Sequence, residues 1–309
     1  MGHDKLRGIM SEKIRWGVSA DSSGLLTGTP VMWQRLWGEA IASHKEGFVG
    51  FEMFPWGWLA GTEAILKQAQ ELEIPIAAIH GRTGGIHDAN TWADRMILMT
   101  LNEIMPDSIS LIKNFGRRVP RIVLHTPEFR NVELIRFLAD DGNREVVRDV
   151  SIENHMHIGA SGTALEVALI LKRARVKRVS LTFDLFHCGN AANHYGNDWT
   201  RRWKEVRAQA EEVLDGAARN DLKVHFHLPV GPGRDGLPTK FITDGSTRKL
   251  WRQLGGDLEQ AEKSGLVGVR TIENQQVFLE AIGVYGGAVA RQIKWNREVV
   301  NVLAGEGVI

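Results

Sequence analysis

Eight short apolar runs, each followed by an amphipathic stretch, constrain this chain more than any other feature of its sequence. The runs are Trp16–Ala20, Phe48–Phe54, Ile76–His80, Arg121–His125, Asp149–Asn154, Arg178–Asp184, Lys223–His227 and Val267–Glu273. Each is bounded by polar or turn residues and is rich in Val, Ile and Phe, the pattern of strands buried on both faces of a parallel sheet. Eight strand-and-helix units are the number that closes an α/β, (β/α)8 TIM barrel. Such a barrel needs about 250 residues, so the 309 present predict one domain over 1–309. Within it, 1–13 reads as a flexible leader and 275–309 as C-terminal helices. An open doubly wound sheet is the structural alternative. It is disfavoured because SADSSGLLTG, after the first run, lacks the G-x-G-x-x-G spacing of a dinucleotide fold.

Helix signals punctuate the runs. Thr29 followed by Pro30 predicts a cap with proline at the first helical position. Thr62 precedes the amphipathic EAILKQAQELE, and Thr91 with Asp94 and Thr163 with Glu166 have capping-box spacing. Helices are expected over Val132–Ala139, Asp198–Asn220, Ser246–Lys263 and Gln275–Leu303, the last broken near Gly286 and Gly287.

Composition excludes several function classes. The formal charge is +1, from 38 basic and 37 acidic residues, so no global electrostatic footprint marks a nucleic-acid or anionic-membrane binder. The single cysteine, Cys188, cannot form an internal disulfide and reads as a bystander. The charged N-terminus has no apolar core of a signal peptide, and no apolar run has the length of a membrane span. The expectation is a soluble, cytoplasmic protein. Ten tryptophans, with Trp33, Trp37, Trp56 and Trp58 clustered, are read first as packing; exposed, they would favour a homo-oligomer interface.

The chemistry sits where the runs end. In order, they close on His80, His125, Glu153, Asp184, His227 and Glu273. In a barrel these ends converge on one mouth, where active sites lie; in an apolar core they would be costly unpaired groups. Glu153, Asp184, His227 and Glu273 offer three carboxylates and one imidazole, a donor set suited to Mn²⁺ first, and to Mg²⁺, Co²⁺ or Zn²⁺. His225 rivals His227, because the two face the same side of a regular strand; His227 is preferred as nearer the strand end. His155 and His157 read as exposed loop histidines. Glu52 is open between a substrate contact and an anchor for a neighbouring helix.

The segments GFVGFEMF, AIHGR, VLHTPEF, IEN, FDLFH, HFHL and the second IEN, taken in order, resemble the xylose isomerase-like barrel superfamily. That superfamily holds sugar isomerases, ketose 3-epimerases, inosose dehydratase and endonuclease IV, and the likeness covers roughly residues 45–275. It implies a metal held by Glu153, Asp184, His227 and Glu273, with Glu153 and Glu273 also the catalytic acid/base pair. His187 would contact substrate or a second metal, and His80 and His125 would shape the pocket or, as in the endonuclease, bind further zinc. The implied reaction is proton abstraction beside a carbonyl of a small carbohydrate or hydroxy-keto compound, with a related lyase or dehydratase as an alternative. The chain departs from the 3-epimerases after His227: LPVGPGRDG lacks their Gly-Glu, with Arg234 a replacement contact. It departs from endonuclease IV in having no Asp-x-His between His227 and Glu273, which turns the expectation away from abasic DNA.

Overall fold

The computed structural model describes residues 14–20, 29–54, 59–81, 106–143, 145–146, 148–154, 160–185, 187, 199–230, 245–274 and 287–309. Its strands are β1 (Trp16–Ser19), β2 (Phe48–Met53), β3 (Ile76–His80), β4 (Ile122–His125), β5 (Val150–Glu153), β6 (Val179–Asp184), β7 (Val224–Val230) and β8 (Val267–Asn274). Between and after them run α1 (Pro30–Ser43), α2 (Leu59–Glu71), α3 (Ser108–Phe115), α4 (Val132–Ala139), α5 (Ala160–Arg173), α6 (Trp199–Arg219), α7 (Gly245–Glu262) and α8 (Gly287–Gly305). The strands pair in parallel and in chain order, and β1 pairs with β8 to close a (β/α)8 barrel. Among the described residues, no helix is long and apolar enough to cross a membrane.

Two helix starts differ from the sequence reading. Thr62 and Thr163 lie inside α2 and α5, which begin at Leu59 and Ala160. Neither Leu59-Ala60-Gly61 nor Ala160-Ser161-Gly162 contains a residue that forbids helix, so each helix extends upstream of its threonine, and Thr62 is buried. Thr29 occupies the expected cap position ahead of Pro30, without a side-chain hydrogen bond. Thr91 and Asp94 lie outside the described residues, as do 1–13 and 275–286. Strand β7 runs three residues beyond His227, to Val230, so nearness to a strand end does not distinguish the two histidines.

The apolar core fills the space between barrel and helices. Trp33 and Trp37 of α1 are buried there, Trp33 with its ring 5.5 Å from Phe51, and Trp203 of α6 meets Trp251 of α7 edge-on at 5.7 Å. Trp33 and Trp37 are thus packing residues, while Trp56 and Trp58 lie outside the described residues. Two barrel strands approach too closely for side chains. A Cβ on Gly17 would meet the Gly50 carbonyl at 2.6 Å, and Gly50 itself has φ 135°, beside a register shift in β2. Only glycine takes that conformation without strain.

Inside the barrel the layers are polar. Contacts between strands that are not neighbours must cross the interior, and they do so through charged groups: Arg121 with Glu52, Arg121 with His225, His227 with Glu52, and His80 with Glu153. Such layers are usually packed with Val, Ile and Leu. A charged interior is expensive unless each group is matched, and the matching shapes the site.

Candidate metal centre

Glu153, at the end of β5, is the hub. It is 1% exposed, and its two oxygens face different partners. Oε1 lies 3.2 Å from His227 Nδ1 and 3.7 Å from His187 Nδ1. Oε2 lies 2.6 Å from His80 Nε2 and 3.5 Å from His125 Nε2. His227 Nδ1 is also 3.0 Å from Glu273 Oε1 and 3.9 Å from Asp184 Oδ2. Strands β5 to β8 therefore bring three carboxylates around one imidazole nitrogen. Among the described residues, three sets bring their donor atoms within 4.8 Å of one another: Glu52, His80, His227 and Glu273; His80, His125 and Glu153; and Glu153, Asp184 and His187. The four ligands expected from the sequence are spread over the first and third of these sets and do not form one such set themselves.

Local sequence fixes each side chain. Asp184 Oδ1 accepts the His187 N–H at 3.2 Å, so the D-x-x-H spacing turns the chain at the end of β6 and brings the imidazole back over the barrel. His187 Nδ1 then lies 2.5 Å from the Asn154 carbonyl. With its proton on Nδ1 and donated there, Nε2 faces Asp184 Oδ2 at 3.6 Å. His80 is pinned in the same way: Nδ1 meets the Gly81 carbonyl at 3.0 Å, leaving Nε2 toward Glu153. Phe54 stacks on the His80 ring at 4.3 Å, with 12° between planes. At His125, Glu128 Oε1 accepts the backbone N–H at 3.0 Å and starts a 3₁₀ turn, Thr126–Arg130.

The electrostatics show a cluster short of positive charge. Burial pushes the Asp184 carboxyl up, opposed by His187 and reinforced by Glu273 and Glu153, to about 7. Burial would also raise Glu153, but His125, His227 and His80 outweigh it and hold it well below the usual carboxylate range. Burial would lower His80 and His227; Glu153 reverses this at His80, which rises to about 9, and Glu273 with Glu52 reverses it at His227. The Glu153 carboxylate is thus favoured by the histidines charged around it, while Asp184 is not. Against four buried carboxylates, Glu52, Glu153, Asp184 and Glu273, the described residues set one arginine across the barrel, Arg121; the other buried arginine, Arg270, pairs with Glu262 of α7. A divalent cation fits this donor set: it would take the place of the imidazolium protons and relieve the crowding at Asp184.

The structure separates the two β7 histidines. His225 Nδ1 accepts the Val269 N–H at 2.9 Å and meets Arg121, while Nε2 is 3.6 Å from Asp149 Oδ2. With Nδ1 an acceptor, the proton sits on Nε2 and the ring is neutral; burial and the Arg121 guanidinium lower it to about 4. His227 is the β7 imidazole that faces Glu153, Asp184 and Glu273, since both ring nitrogens of His225 meet other groups. The ring lies across β8 where a Cβ on Gly268 would come within 2.4 Å of it. It also satisfies the backbone N–H that the β7–β8 register shift leaves without a strand partner.

Glu52 lies beneath this shell and not at its rim. It is 1% exposed; Oε2 accepts from Arg121 Nη2 at 3.0 Å and from Thr271 Oγ1 at 3.5 Å, and Oε1 is 3.0 Å from His227 Nε2. The carboxylate faces the barrel interior, so it anchors no helix. Arg234, His155, His157 and Cys188 lie outside the described residues. Two residues of the site escaped the sequence reading. Asn154 accepts the Asp184 N–H at 2.7 Å and donates to the Asp184 carbonyl at 3.1 Å, clamping β5 to β6; its place in I-E-N after a strand end was the available signal. Arg121 looked like the polar boundary of a strand.

No family model matches the chain, and no curated protein matches it. Several solved structures are similar. The tri-modular endo-β-1,4-glucanase B of Bacillus halodurans shares 10% identity over 91% of this chain and 60% of that one, with a TM-score of 0.51. The chain spans about three-fifths of that protein. A xylose isomerase domain containing protein of Salmonella typhimurium shares 13% over 96% of this chain and all of its own, with a TM-score of 0.49. A 3-keto-D-glucoside 4-epimerase of E. coli shares 13% over 92% and 99%, with a TM-score of 0.43. Of the three, the glucanase likeness bears on the fold alone, and the closed eight-strand barrel is read from this chain's own strand pairing.

Proposed function

We propose that the protein is a divalent-metal-dependent isomerase or epimerase of a small carbohydrate or hydroxy-keto compound. One observation carries the reading: three carboxylates from β5, β6 and β8 surround the Nδ1 of His227 within 3.9 Å. Glu153, Asp184, His227 and Glu273 would hold the ion, Mn²⁺ first among the candidates. The ion would supply electrophilic polarisation of a carbonyl and its neighbouring hydroxyl. The chain's own residues do the rest. Glu153 and Glu273, which reach His227 from β5 and β8, would take a proton from the carbon beside the carbonyl and return one, the route through an enediolate. His187, His80 and His125 line the remaining side and orient hydroxyls; Arg234 is a further candidate contact.

Metal analysis with a deuterium-exchange screen tests this. Purified protein is expected to hold about one tightly bound divalent ion, and ketoses, inososes or hydroxy-keto acids incubated with it in D₂O should gain solvent deuterium. Glu153→Gln should abolish exchange and most metal binding. A protein that takes up no divalent ion, including Mn²⁺ supplied in excess, sinks the reading.

A second reading has its own observation. The His80, His125 and Glu153 cluster is a further cation-like donor set, as a multi-metal phosphodiesterase of the endonuclease IV type requires. That reading expects about three zinc ions and incision of abasic duplex that weakens steeply with salt. Intact abasic duplex at low salt rejects it.

A further inference from the structure

Below the candidate metal centre lies an ion pair that packing does not require. Arg121, just ahead of β4, is 3% exposed and Glu52 of β2 is 1% exposed. Arginine keeps its charge everywhere in a protein. Here its guanidinium spans the barrel between Glu52 Oε2, at 3.0 Å, and His225 Nδ1, while its Nε meets no acceptor. A buried pair with an orphaned donor is a poor stabiliser, since apolar residues of similar volume often serve as well or better. What the pair does accomplish is geometric. Arg121 and Thr271 occupy Glu52 Oε2, so that Oε1 is the oxygen left facing His227 Nε2, 3.0 Å away. Neither of those two atoms has a hydrogen-bond partner, so the ion-pair contact between them is what each meets.

An imidazole binds a cation through one nitrogen, and the N–H on the other needs an acceptor that fixes the ring's tautomer and plane. For His227 the nitrogen facing Glu153, Asp184 and Glu273 is Nδ1, so Nε2 must carry the proton. Glu52 is the acceptor in reach. We infer that Arg121 and Glu52 are positioning residues of the candidate metal centre: Arg121 orients and neutralises Glu52, and Glu52 holds His227 with Nδ1 turned to the three carboxylates. Arg121 has a second effect. Glu52 belongs to a close donor group with His80, His227 and Glu273, and the bound guanidinium keeps its carboxylate from becoming a ligand itself. The inference rests on the metal reading above and adds to it a layer supplied by β2 and by the residue just ahead of β4, segments that carry none of the four proposed ligands.

The test is calorimetric titration of chelator-treated protein with Mn²⁺, for the natural chain, Glu52→Gln, Arg121→Met and the double variant. Glu52→Gln is expected to weaken binding ~10–100-fold, the usual effect of losing an outer partner of a metal-bound histidine. Arg121→Met should weaken it ~10-fold, and the double variant should lose no more than Glu52→Gln alone, because Arg121 acts through Glu52. In Zn²⁺-loaded protein the ¹⁵N-bound proton of His227 Nε2 should be observed for the natural chain and broadened by exchange in Arg121→Met, a signal that a merely structural role would not move. Should Arg121→Met fail to fold, Arg121→Gln, which keeps a donor for Glu52 without the charge, is expected to bind Mn²⁺ a few-fold more weakly than the natural chain. Arginine variants that bind Mn²⁺ as tightly as the natural chain, or losses that multiply in the double variant, overturn the inference and leave the metal centre standing. A natural chain that binds no Mn²⁺ overturns both.

Discussion

His225 and His227 differ by two positions and by everything that matters chemically. The first has Nδ1 occupied by the Val269 N–H and its Nε2 proton turned to Asp149; the second turns Nδ1 to three carboxylates. Alternation along a strand puts both inside the barrel and cannot choose between them. The contrast gives a paired prediction. His227→Ala should weaken Mn²⁺ binding by about 100-fold or more, judged against the 10–100-fold of outer-shell losses. His225→Ala should leave stoichiometry and affinity within a few-fold, while lowering thermal stability by about 1–3 kcal/mol because the Val269 N–H loses its acceptor. Titration and melting of the two proteins check it; equal metal loss in both would contradict the assignment.

At the scale of elements, the site depends on how adjacent strand ends are tied. Asn154 makes two hydrogen bonds with the Asp184 backbone and offers its carbonyl to His187. The Asn154 side-chain amide thereby fixes the end of β6, and its backbone carbonyl sets the tautomer of the histidine after it. Asn154→Ala should destabilise the protein by about 2–3 kcal/mol, since a buried N–H and a carbonyl both lose partners. The Asp184 amide should also exchange with solvent faster than amides in the middle of β6. Urea unfolding with residue-resolved exchange reads both effects, and an Asp184 amide as protected as in the natural chain would show that the clamp is dispensable. The same scale explains the two misplaced helix starts. A threonine ahead of an amphipathic run, or at capping-box spacing, marks a start only where the preceding residues cannot extend the helix, and before Thr62 and Thr163 they can.

For the whole molecule, closure is the decisive event, and the C-terminal segment secures it. Arg270 of β8 is 0% exposed and donates to the Val308 carbonyl at 2.7 Å, with Glu262 of α7 as its counter-ion. Arg252 meets Glu306 at 2.8 Å, and Asn296 of α8 donates to the Leu36 carbonyl of α1 at 3.0 Å. The last helix thus bridges the first helix and the last strand across the seam where β1 meets β8. Arg270→Ala strips the counter-ion from a largely buried Glu262 and should cost about 3 kcal/mol or more in chemical unfolding. Tail residues 306–309 should become protease-sensitive at the same time. An unchanged midpoint would show that the seam holds without this arginine.

Periodicity alone determined the architecture: eight Val-, Ile- and Phe-rich runs separated by helical stretches have few ways to bury both faces of each strand, and a closed barrel is one. The polar residues ending those runs were also legible, because a barrel's strand ends share one mouth. What only the tertiary structure decided was partnership. Which nitrogen of which histidine faces the carboxylates, that Glu52 lies under His227, and that Arg121 crosses the barrel to reach it all depend on contacts between strands distant in sequence. A one-dimensional pattern records which side a residue faces. It does not record what waits on the other side of the barrel.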